Sequence, residues 1–161
     1  MNRLIRDGRV AACRSQGFTL MELLVVIGVI AILASIVIVA LNPSRQFAQA
    51  RNTQREADVA TILNAIGQNT VDNKGTFNCG EVVIDSTTTT IGTSTGAGFK
   101  NLRDCLIPTY IPSALPFDPD GGTPADTKYT IATDALGRFT VCAPEHAEPS
   151  IVGSTAYCLT R

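Results

Sequence analysis

A single carboxylate, Glu22, stands near the head of a run that otherwise carries no charge from Phe18 to Leu41. A charge at the middle of a membrane-spanning helix costs about 2.5–3.5 kcal/mol on insertion scales, and less near the ends, so a glutamate placed here needs a partner. One arises if the peptide bond between Gly17 and Phe18 is cut, because the new ammonium group on Phe18 lies about one helical turn from Glu22. The cut would also remove Arg3, Arg6, Arg9 and Arg14 together with Asp7, a net of +3. The whole chain is −1, so taking away +3 leaves −4 on the side chains from Phe18 onward.

Cysteines supply the second chemistry. Cys13 precedes the cut, and Cys79, Cys105, Cys142 and Cys158 follow it, an even number in a segment expected to be exported. That favours two disulfides. Strand parity helps to choose among the three connectivities: Phe139 and Val141 precede Cys142, and Tyr157 and Leu159 flank Cys158, so each cysteine takes the face opposite its large apolar neighbours. A Cys142–Cys158 bridge would staple two neighbouring strands and leave Cys79 with Cys105. A zinc site is the competing use, but there is no close C-x-x-C pair and the lone His146 is poorly placed to complete one.

Catalytic patterns are weak. Glu145-His146-Ala147-Glu148 has one histidine and no second at helical distance, so metal-peptidase spacing is absent. Gly92-Thr93-Ser94-Thr95-Gly96 matches the letters of a nucleophile elbow, yet it lies in a Ser/Thr/Gly-rich stretch far from the single histidine. No phosphate-cradling loop occurs, and the expectation is a protein that is not an enzyme. With a pI near 5.7 and no basic cluster after residue 17, nucleic acid is not indicated.

The elements that position these residues follow from periodicity. The nineteen uncharged residues from Leu23 to Leu41 span about 28 Å at 1.5 Å per residue, close to the hydrocarbon thickness of a bilayer. The arginines ahead of them hold the N-terminus on the cytoplasmic side. A removable signal peptide has a shorter apolar region, whereas a plain signal anchor with a disulfide-bonded binding module outside is the rival reading. Asn42-Pro43-Ser44 either caps a new helix, with Pro43 in its first turn, or kinks a single long one. Beyond it Val59, Ile62, Leu63, Ile66 and Thr70 form one stripe, and Arg51, Arg55, Glu56, Asp58, Gln68 and Asp72 are expected on water-facing sides.

Asn73-Lys74-Gly75 is a helix stop, and Val82-Val83-Ile84 is expected as a short strand. The Ser/Thr/Gly-rich stretch that follows is expected as a solvated loop or edge hairpin. Phe99, Leu102, Cys105 and Leu106 fit one helical pattern ended by Pro108. Residues 110–122 form a proline-stiffened loop, and strands are expected at Tyr129–Thr133, Arg138–Ala143 and Thr155–Leu159. The sum is an α+β fold, with a long N-terminal helix laid on a small antiparallel sheet of about three or four strands.

Gly17-Phe18-Thr19-Leu20-Met21-Glu22 and the apolar run behind it resemble the processing site of type IV prepilins and pseudopilins. A looser similarity to the globular domain of major pseudopilins and small pilins lies in Leu115-Pro116-Phe117-Asp118-Pro119 followed by Lys128-Tyr129. The resemblance implies a leader over 1–17, an assembly helix over 18–41, an amphipathic continuation over 42–74 and a globular head over 75–161. It implies cleavage and N-methylation at Phe18 by a prepilin peptidase/methyltransferase. It further implies polymerisation of many copies by an assembly platform and motor ATPase, with Glu22 pairing with the Phe18 amine of a neighbour. The expected course runs from the bacterial inner membrane to an extracellular filament, a pilus ahead of a secretion or competence pseudopilus. Some pseudopilins bind calcium after the Asp-Pro segment, where Asp118, Asp120 and Asp126 offer oxygens. Their spacing is not an EF-hand loop, and the expectation is no cofactor.

Overall fold

The computed structural model describes residues 17–94 and 96–161, so the leader charges, Cys13 and Thr95 lie outside the described residues. The chain divides between Leu41 and Asn42 into two compact units. The first contains helix α1 (Leu20–Leu41), which buries none of its side chains. It is apolar on every face, and by length and composition it is able to cross a membrane. Its one hydroxyl, Ser35 Oγ, donates to the Ile32 carbonyl at 2.7 Å, so the group is satisfied without water.

The second unit begins at Asn42, whose positive φ of 42° ends the preceding helical geometry and places Pro43 at the first position of helix α2 (Pro43–Asp72). A proline is harmless there because that N–H has no intrahelical partner. The buried positions Ala48, Asn52, Arg55, Val59, Ile62, Ile66 and Asn69 follow one another at alternating four- and three-residue steps. Such steps keep them on a single line along the helix. Arg55 and Asp58, expected toward water, are therefore corrected to buried: extending the apolar stripe upstream by one turn lands on Arg55, and Asp58 lies beside it. The helix ends as the sequence signals. Lys74 and Gly75 take positive φ, and the Gly75 N–H donates to the Thr70 carbonyl at 2.8 Å. Asn69 then pairs with the returning chain, donating to the Asn78 carbonyl and accepting the Asn78 N–H.

A five-stranded sheet packs on α2. Its strands are β1 (Thr89–Ile91), β2 (Phe99–Lys100), β3 (Thr130–Thr133), β4 (Phe139–Ala143) and β5 (Tyr157–Thr160), in the order β2-β1-β3-β4-β5. Only β1 and β2 run parallel. Ile131 stands opposite Val141, and both are fully buried against Val59, Ile62, Leu63 and Ile66. Each such side chain contributes about 1.5–3 kcal/mol on burial. Leu102 and Leu106, from the one-turn helix α3 (Arg103–Leu106) and its approach, close the core together with Ile111, Leu115 and Tyr129.

Three local expectations are corrected. Val82-Val83-Ile84 is not a strand: Val82 and Ile84 pack on the core, Val83 is exposed, and the links to β3 are the Thr133 N–H donating to the Asp85 carbonyl and the Thr133 hydroxyl donating to the Ile84 carbonyl. The threonine run supplies β1 instead, since β-branched Thr suits extended backbone and Thr89 and Ile91 point inward. Phe99 belongs to β2 rather than to a helix, because the Asn101 side chain accepts the Arg103 N–H and starts α3 only there.

Candidate functional site

Gly17, Phe18 and Thr19 precede the first helical turn in exposed, non-helical backbone, so the Gly17–Phe18 bond lies outside the hydrogen-bonded helix. Thr19 caps α1. Its backbone N–H donates to Glu22 Oε2 at 3.0 Å, its hydroxyl donates to the same oxygen at 2.9 Å, and the Glu22 N–H donates to Thr19 Oγ1 at 3.2 Å. This reciprocal capping box satisfies two of the orphan donors of the helix end and puts the carboxylate where the helix dipole favours negative charge. Thr19 is a residue that charge reasoning passes over. Its signal is the Thr-x-x-Glu spacing directly before an apolar run.

Beneath the carboxylate, α1 presents large apolar side chains in every direction, with Leu23, Ile30 and Val37 all more than half exposed in the isolated chain. Glu22, Phe18 and Gly17 are thus gathered at one end of a surface that has no counterpart among the described residues of its own unit.

The cysteines lie elsewhere. Cys79 is bonded to Cys105, tying the segment after α2 to α3, and Cys142 is bonded to Cys158. Cys142 and Cys158 face each other in the β4–β5 register with their Cα atoms 4.1 Å apart, while Val141 and Ala143 on either side are buried. Closing loops of this size stabilises by about 3 kcal/mol each in the chain-entropy account.

A second polar cluster is buried between α2 and the loops around the sheet. Arg55 donates from Nε and Nη2 to the two carboxylate oxygens of Asp118 at 2.6 and 3.0 Å, and from Nη1 to Asn52 Oδ1 at 2.8 Å and Glu148 Oε1 at 2.6 Å. Arg51 grips the same Glu148 with two bonds of 2.7 and 2.8 Å. The bonds from Arg51, then those from Arg55, hold the Glu148 carboxyl down at about 2 although its burial works the other way. Burial disfavours the Arg55 charge, but Asp118 and Glu148 outweigh it and raise its pKa above the usual arginine value. Burial raises Asp58, and the Tyr129 hydroxyl, donating at 2.8 Å, and Gln54 restrain the rise.

His146 spans Thr155 O and Glu56 Oε1 at 2.8 and 3.2 Å, from the short turn Pro144–His146 that follows β4. Among the described residues, no three carboxylate, imidazole or thiol side chains are gathered as a metal ion requires. Asp118 takes Arg55 and the Asp120 N–H, and Asp126 takes the Lys128 N–H.

Residues 13–38 match the family model of the prokaryotic N-terminal methylation motif. No curated protein and no solved structure matches the chain. The match covers Gly17, Phe18, Thr19 and Glu22 and most of α1, and such motifs imply processing by a prepilin peptidase and assembly into filaments. The family that bears them is structural rather than enzymatic. The capping box and the bare apolar helix behind it therefore sit within the signature of type IV pilins and pseudopilins.

Proposed function

We propose that this chain is the precursor of a structural subunit of a type IV pilus or pilus-like filament, cut between Gly17 and Phe18 and N-methylated on Phe18. A secretion or competence pseudopilus, which uses the same kind of helix, is the second reading. The observation that carries the proposal is α1 itself: a membrane-length helix with no buried side chain, headed by Thr19 and Glu22 and lying inside the methylation motif.

In the bilayer, lipid covers α1 and the capping box satisfies Glu22. In a filament, the helices of many copies take over the covering, since side-by-side packing removes the same apolar surface from water. Glu22 then sets the register. Opposite charges about 4 Å apart attract by roughly 4 kcal/mol at an effective dielectric near 20, before desolvation is subtracted. A neighbour's Phe18 ammonium in place rewards one stagger, and a carboxylate buried without it penalises the others. Repeated head-to-tail contacts that do not close build a helical fibre. The energy comes from outside the subunit, from an assembly platform and motor ATPase.

The Glu22→Ala variant tests this. Membrane insertion should survive, because removing a charge only favours it, while surface filaments fall below detection by electron microscopy. Normal filaments from that variant would refute the role given to Glu22, whereas a wild-type chain that inserts but never forms filaments would favour a signal-anchored binding module.

A further inference from the structure

The loop from Asp118 to Thr127 is where resemblance to some pseudopilins places a calcium ion, and most of its inward oxygens already accept hydrogen bonds. Asp118 is 1% exposed and gives both carboxylate oxygens to Arg55, while its Oδ1 also accepts the Asp120 N–H at 2.8 Å. Asp126 Oδ1 accepts the Lys128 N–H at 3.0 Å, and the Asp120 carbonyl accepts Lys128 Nζ at 3.2 Å. The carbonyls of residues 118 and 123–127 accept backbone N–H groups from within the loop or from Thr93 and Ser94. Gly122 folds so close over Asp118 that a Cβ there would strike the Asp118 backbone. Calcium takes six to eight oxygens, and the donors present do not fit it.

We propose that Arg55 is the resident cation of this loop, a guanidinium delivered from helix α2 that seats the Asp118 loop and the Glu148 turn at once, so that the head closes without a divalent ion. The fork of a guanidinium matches a carboxylate through two parallel bonds and still has donors for Asn52 and Glu148, which a spherical ion does not replace. Helix α2 thereby holds two loops that are 30 residues apart in sequence by a single side chain. This inference is independent of whether the chain polymerises.

The test is thermal unfolding of the full chain in detergent, with calcium chloride and with EGTA. The wild-type midpoint should be the same in both. Arg55→Met should lower it by about 10 °C or more, since it leaves the buried Asp118 carboxylate without its cation and takes from Glu148 one of its two arginines, and added calcium should not restore it. Should Arg55→Met fail to fold, the Asp120→Asn, Asp126→Asn double variant keeps the question open to experiment. A calcium response of the wild type that disappears in that double variant would overturn the proposal, as would recovery of Arg55→Met by calcium.

Discussion

Helices α1 and α2 treat polar groups in opposite ways. In α1 the carboxylate sits at the very end, answered by its own cap, and every apolar side chain faces outward. In α2 the ionic groups Arg55 and Asp58 lie inside, answered by residues drawn from 63 to 93 positions away, while Ile62, Leu63 and Ile66 fill the core. The difference teaches where each unit keeps its information. On the proposed reading the first is covered by lipid or by other copies and serves assembly, whereas the second is satisfied within itself and encodes stability.

The largest effect that would break this contrast comes from matched truncations. Ile62→Ala should cost about 2–5 kcal/mol of head stability in denaturant unfolding. Ile30→Ala should leave that transition unmoved, and equal losses from the two would mean that the units are not separate in energy.

Acid should act on the buried ionic cluster of the second unit. Glu148 has a folded pKa of about 2 against an ordinary 4.5, so its contribution is full above about pH 4.5 and is lost as pH falls toward 2. Asp58 is raised and works the other way, its share being present in acid and lost as pH rises through its folded value. Asp58→Asn should therefore make the acid-side decline steeper in a pH series of unfolding midpoints.

The smallest effect belongs to the cap. Thr19→Val removes the hydroxyl and should cost about 1 kcal/mol. It should appear as faster hydrogen exchange at the Glu22 amide with no change in the head.

How much of this is legible from residue order depends on how local the cause is. Helix α1 and the stop at Asn73-Lys74-Gly75 depend on neighbours a few positions away, and β3, β4 and β5 follow from their alternation. Thr-x-x-Glu is equally local, but charge reasoning that looks for a partner in another chain overlooks it. Arg55 is legible only in part. The phase of the stripe through Val59 and Ile62 places it inward, whereas its partners Asp118 and Glu148 depend on tertiary closure. The exchange of Val82-Val83-Ile84 for Thr89–Ile91 as the strand has the same origin, since hydropathy favours the valines and the β3 edge decides which segment finds ladder partners.

The most direct measurement is the mass of the N-terminal peptide from surface filaments. The account predicts a first residue Phe18 carrying a methylated amine, free to meet Glu22 of a neighbour. Filaments whose subunits keep any part of residues 1–17 would contradict it.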